Sequence, residues 1–260
     1  MRIVLILSYL GTAYSGWQIQ PSRDTVEGQL LKALQRFTTE QLKLYVAGRT
    51  DAGVHATSQV VHFDTDKDRP WIRANDFLPG DIRILQVRKV DITFHARYLA
   101  SSREYVYVME LGKVANPLNY KRVLHVPEVL NISSMRDAAM PLVGTADFSA
   151  WRCSGCVSRN TIKTIEYIKI EEMDQYIVTK IKADAFLYRM VRNIVGTLYL
   201  AGQGLLSQDQ VLQMRKDLGL PGIDIKLVPA HGLYFVGASY NSFPDITALC
   251  YNGPKHFYAL

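Results

Sequence analysis

The chain has 260 residues, a formal net charge of +6, 48% hydrophobic residues and three cysteines. That length suits one large domain or two modest ones around a sizeable core, and so few cysteines, odd in number, argue against a disulfide framework and fit a reducing compartment. The longest apolar run, Ile3 to Leu7, falls well short of the ~20 residues of a membrane span and follows Met1-Arg2 with no cleavage pattern, so a cytoplasmic protein with no membrane partner is expected. The positive balance suits an anionic partner, because Lys and Arg release counterions when they neutralise phosphates.

Ile3 to Tyr9, apolar at nearly every position, predicts a strand covered on both faces. Val26, Leu30, Leu34 and Phe37 recur at helical spacing, with Asp24 and Glu27 placed as a capping box at the start. Leu44 to Ala47 reads as a second strand. Val60, Val61 and Phe63, interleaved with Gln59, His62 and Asp64, predict a third. Between these two strands lies Gly48-Arg49-Thr50-Asp51-Ala52-Gly53-Val54-His55-Ala56, a charged turn bracketed by glycines. Thr-Asp-Ala-Gly is ordinary turn chemistry. It is equally a way to present Arg49 and Asp51 on a sharp loop from a rigid scaffold.

Ile82 to Val90 is β-rich, and from Tyr105 a period-two alternation predicts a strand with Tyr105 and Tyr107 on one face. The subdomain boundary is expected just before it, giving 1–102 and 103–260. A helix from about Ser133, carrying Met135, Ala138, Ala139 and Leu142 and closed by Gly144, precedes a loop from Asp147 to Cys156. Thr164 to Ile170 and Tyr176 to Asp184 read as strands. Phe186, Met190, Ile194 and Leu198 fall four apart as a helix stripe, leaving Arg189, Arg192 and Asn193 off it and able to face a cleft. Ser207 to Asp217 is a short capped helix and Leu233 to Tyr240 the closing strand. Mixed α and β elements with short connections predict an α+β fold whose two halves share a large antiparallel sheet.

Metal and redox motifs carry little. Cys153-Ser154-Gly155-Cys156 has no second CxxC, and His55, His62, His95, His125, His231 and His256 include no close-spaced ligand pair. No nucleotide-binding loop or nucleophile elbow is present, and no cofactor is expected.

The turn at 48–56 resembles the GRTDAGVHA signature of the pseudouridine synthase I family, the TruA-type tRNA pseudouridine synthases. Six further matches follow in order: GTAYSGWQIQP around Thr12 to Trp17, LPGDIRI at Leu78 to Ile84, FHARYLASSREYVY from Phe94, DFSAWR from Asp147, IKADAFLYRMVRNIVG from Ile181, and GLYF from Gly232. Together they span most of the chain. The resemblance implies two ferredoxin-like subdomains with an active-site cleft between them, no cofactor, and a homodimer that isomerises uridine in the anticodon stem-loop of tRNA at positions 38, 39 and 40. It also implies roles by position. Asp51 corresponds to the catalytic carboxylate, Tyr105 to the tyrosine against the target uracil, and Arg192 to the arginine that pairs with the aspartate. Arg49 corresponds to the arginine that enters the RNA, and Leu233 is an apolar wall for the uracil. A non-catalytic RNA-binding protein of the same fold is the alternative, but it would have no need for Asp51, Tyr105 and Arg192 together. Metal-dependent hydrolysis lacks a ligand cluster.

Overall fold

Apolar residues on both sides of Arg2–Tyr9 make a strand that can be satisfied only inside a sheet covered on both faces. A computed structural model describes residues 1–156, 158–217, 225 and 227–251. In chain order its elements are β1 (Arg2–Tyr9), α1 (Val26–Leu34), β2 (Tyr45–Val46), β3 (His55–Asp64), β4 (Ile82–Val90), β5 (Ser102–Leu111), β6 (Leu124–Val126) and α2 (Ile132–Ala139). There follow β7 (Gly144–Asp147), β8 (Ile162–Met173), β9 (Tyr176–Ala183), α3 (Met190–Gly202), α4 (Gln208–Asp217), β10 (Leu233–Ser239) and α5 (Pro244–Tyr251). The class is mixed α and β with mainly antiparallel pairing, as the sequence predicts. Two compact units form, Met1–Arg103 joined by the chain from Tyr234, and Glu104–Leu233.

In the first unit β1 lies between β4 and β3, antiparallel to both. β2 pairs antiparallel with the C-terminal half of β3 through Tyr45 with His62 and Val46 with Val61. β10 pairs parallel with its N-terminal end, Tyr234 with His55 and Phe235 with Ala56. The charged turn therefore joins two paired strands, as expected. Val4, Leu5, Leu7, Val60, Val61 and Phe63 are fully buried. Each such side chain contributes about 1.5–3 kcal/mol. Gln59 and His62, on opposite faces of β3, are as buried as their apolar neighbours; Tyr45 stacks on His62 at 4.8 Å and Phe94 meets it edge-on at 5.9 Å. Two details of α1 differ from expectation. The cap of α1 is Thr25, whose Oγ1 accepts from the Gly28 N–H at 3.2 Å, while Glu27 accepts from the Ile19 N–H at 3.0 Å. Phe37 lies past the helix and packs on Trp71 and Phe77.

The second unit orders its strands β5-β9-β8-β7, with β6 parallel to β5. Asn131 caps α2 by accepting from the Ser134 N–H at 3.0 Å. α2 seats against α3, where the Asn131 N–H donates to the Gly202 carbonyl at 2.8 Å, and against β8, where Arg136 Nε donates to the Ile170 carbonyl at 3.1 Å. The expected loop at 147–156 is partly ordered: β7 reaches Asp147, and a short 3-10 turn buries Trp151, whose Nε1–H donates to Thr197 Oγ1 at 3.0 Å. α3 starts at Met190, so Phe186 precedes it. α4 matches its expected span, with Ser207 and Gln210 bonded to each other's N–H groups as a capping box. α5 has no counterpart in the sequence reading. It covers β10, where a Cβ on Gly237 would stand 2.8 Å from Cys250 Cβ.

Candidate active site

The turn carrying Arg49 and Asp51 is braced from three directions. From β1, the Tyr9 hydroxyl meets Thr50 Oγ1 at 2.8 Å. From β3, Gln59 Nε2 donates to the Gly48 carbonyl at 2.8 Å and to Tyr9 Oη at 3.3 Å. From the segment after β1, the Trp17 N–H donates to the Thr50 carbonyl at 3.0 Å. That approach needs glycine at position 16, where φ is +94° and a Cβ would stand 2.8 Å from Thr50 O and 3.1 Å from Ala52 N. The Gly11 N–H donates to His55 Nδ1 at 2.9 Å, and the His55 ring stacks on Tyr234 at 4.6 Å. Burial pushes the Tyr9 phenol up to about 12, against the bonds from Thr50 and Gln59, so it acts here as a neutral hydroxyl.

Within this frame the Val54 N–H donates to the Asp51 carbonyl at 3.1 Å and Gly53 has φ +81°, so the turn chemistry legible in the sequence is present. The same turn presents Asp51 half-buried and Arg49 exposed. The bracing residues were missed in the sequence. Their signal was there: Tyr9 and Gln59 are hydrogen-bonding residues inside runs that otherwise read as core, and buried polar groups must find partners. Just before the turn, Arg103 donates to the carbonyls of Ala47 at 3.3 Å and Ala100 at 2.9 Å, and to that of Arg97.

The second unit holds the other three singled-out residues. Tyr105, 9% exposed on β5, meets the Phe186 ring edge-on at 5.2 Å. Arg192, 9% exposed in the first turn of α3, donates from Nε to the Val228 carbonyl at 2.7 Å. Leu233, 5% exposed, follows five residues after Val228 and opens β10. Arg192 and Leu233 thus share one connecting segment, and Arg49 and Asp51 share one turn. Asn193 differs from its expected cleft-facing role: its side chain donates to the Trp151 carbonyl at 2.8 Å and ties α3 to the 3-10 turn. Cys153 and Cys156 are free thiols; Cys153 Sγ accepts from Asn193 Nδ2 and Cys156 Sγ from the Tyr188 N–H, both at 3.5 Å. Among the described residues no three His, Cys, Asp or Glu side chains are grouped to hold a metal ion; His256 lies outside them.

A protein-family model described as tRNA pseudouridine synthase matches residues 138–241, which include Arg192 and Leu233. A tRNA pseudouridine synthase A from Nitrosomonas eutropha is 40% identical over 249 residues, 93% of this chain and 88% of the relative. The chain belongs to the tRNA pseudouridine synthase A family. A member from Chromobacterium violaceum is 39% identical over 255 residues, 96% of this chain and 97% of that protein. One from Thermoanaerobacter sp. (strain X514) is 38% identical over 245 residues, 92% and 99% of the two chains. Asp51 and its bracing lie in the first unit, and Tyr105, Arg192 and Leu233 in the second.

Proposed function

We propose that the protein isomerises uridine to pseudouridine in the anticodon stem-loop of tRNA, at positions 38, 39 and 40, without a cofactor, as a cytoplasmic homodimer. The observation that carries this reading is the rigid presentation of a half-buried carboxylate, Asp51, on a turn held from β1, β3 and the Gly16 segment, in a chain alike to tRNA pseudouridine synthase A over nearly its full length.

The reaction breaks the C1′–N1 bond, turns the base and forms C1′–C5; the C5 proton leaves and N1 gains one, so nothing is oxidised and no group is transferred from outside. A positioned carboxylate suffices for the key step as nucleophile or base. In this reading Asp51 supplies it and Arg192 is its cationic partner, favouring the charged form of the acid. Tyr105, its ring set by Phe186, lies against the uracil, and Leu233 walls the pocket. A base in a stem must first leave its stack, which costs a few kcal/mol. Arg49, exposed on the same turn as Asp51, enters the RNA and holds the base out. Tritium release from C5-labelled uridine in a tRNA transcript, with no added metal, tests the whole reading. Stoichiometric release from an anticodon stem-loop is expected, and tight binding without release would overturn it.

A further inference from the structure

The segment Val228-Pro229-Ala230-His231-Gly232-Leu233 brings few anchors of its own. Proline has no N–H, and alanine and glycine have no polar side chain. Its His231 bonds to the backbone of Val123, and two donors from elsewhere in the second unit hold the segment as well. Arg192 Nε donates to the Val228 carbonyl at 2.7 Å, and the Tyr107 hydroxyl donates to the Pro229 carbonyl at 2.9 Å. One tight turn, closed by the Leu233 N–H on the Ala230 carbonyl, then delivers Leu233 to β10. The Tyr107 ring also forms the bed of this turn: a Cβ on Gly232 would stand 2.6 Å from the ring Cζ and 2.9 Å from its oxygen, so the backbone approaches this close only as glycine. Tyr107 is fully buried, and burial raises the pKa of its hydroxyl against the pull of Arg192, so the group remains a donor at any assay pH. On β5 it lies two residues after Tyr105, on the same face of the strand.

Resting on the synthase reading above, we propose that Tyr107 is a positioning residue for the isomerisation: by holding the Pro229 carbonyl and seating Gly232, it sets where Leu233 meets the target base. One strand thereby supplies both sides of base recognition, Tyr105 by contact and Tyr107 through Leu233. Arg192, tied to the same segment one residue earlier, has its place linked to that wall. Phosphate contacts generally carry much of the affinity for nucleic acid, and Tyr107 is fully buried, so it acts on the rate and hardly on binding.

The test is a double-mutant cycle of Tyr107→Phe and Leu233→Ala, read by single-turnover and steady-state tritium release with circular dichroism to verify folding at the assay temperature. Tyr107→Phe should lower kcat about tenfold and change KM for tRNA less than about twofold, the signature of misplacement in the reacting complex. The double variant should be no slower than Leu233→Ala within about twofold, because Tyr107 acts through Leu233. Multiplying losses in the double variant, or an unchanged kcat for Tyr107→Phe, would overturn the proposal and leave Tyr107 a residue of the fold alone. Should Tyr107→Phe not fold, Gly232→Ala keeps the hydroxyl but forces ring and turn apart, and must show the same kcat-selective loss and the same non-additivity. A wild-type protein that binds tRNA and releases no tritium would remove the synthase reading itself, an outcome distinct from any pattern among the variants.

Discussion

At Asp51 the replacement of one carboxylate oxygen by an amide nitrogen changes the chemistry and hardly the shape. Asp51→Asn is expected to bind tRNA within about threefold of wild type and to release no detectable tritium, since the nucleophile or base is lost. Filter binding and tritium release on the same preparation check both halves; turnover near wild type would remove Asp51 from the reaction. Arg192 needs a paired design, because its Nε also holds the Val228 carbonyl at 2.7 Å. Arg192→Lys and Arg192→Met both lose that anchor, and only Met loses the charge. In the proposed mechanism Arg192 is the cation that partners Asp51, and losing that charge should leave a smaller fraction of the acid ionised at neutral pH. The single-turnover rate of the Met variant should therefore climb with pH across a range where the Lys variant is flat. Parallel profiles would show that Arg192 contributes position and not charge.

On the scale of elements, the turn between β2 and β3 depends on backbone passing beneath it. Gly16→Ala would place a methyl 2.8 Å from the Thr50 carbonyl in a residue at φ +94°, and such strain costs on the order of 1–3 kcal/mol. Relief requires the turn to move. Turnover should fall at least tenfold, because a shift of about 1 Å in a reacting group costs up to a hundredfold. Thr25→Ala is the control: it removes the cap of α1, costs about 1 kcal/mol of stability, and leaves turnover unchanged. Urea denaturation and tritium release on both variants separate the two effects. Equal losses of activity would mean that general destabilisation, and not the turn, is being read.

For the molecule as a whole, acid stability carries the mark of a histidine built into the first unit's core. His62 is buried among Tyr45, Phe94 and His95, and burial, with Arg2 and His95 adding to it against Asp64, pushes it down to about 4. In the unfolded chain a histidine titrates near its ordinary value of about 6.5. Above that pH neither state is protonated and the group is neutral to stability. As pH falls from about 6.5 toward 4, the unfolded chain takes up a proton that the fold refuses, so stability is lost over that window. Asp64, held below its ordinary range by Arg2 at 2.7 Å, loses its contribution only at lower pH. His62→Asn keeps an acceptor for the Ala96 N–H, which His62 Nδ1 now accepts at 3.2 Å. The variant should be less stable at pH 7 and show a flatter decline in urea midpoint from pH 7 to pH 5. An unchanged slope would assign the acid sensitivity to other groups.

Several elements are legible from local pattern. Apolar runs placed β1, β8 and β9, helical spacing placed α2, capping chemistry placed α4, and the Thr-Asp-Ala-Gly chemistry placed the turn that carries Asp51. Each of these signals, like each family motif, is complete within one short continuous stretch of chain. Tertiary structure alone decided the rest. The burial of His62 is one such case, since what covers a strand face is set by residues outside the strand, here Tyr45 and Phe94. β10 returns to pair in parallel with β3, and a parallel partner leaves no trace in the turns of either strand. The hold of Tyr107 on Pro229 joins residues 122 apart, and no spacing rule reaches that far. A hydrogen bond of that kind exists only because the fold brings a buried hydroxyl to the carbonyl of a half-buried proline.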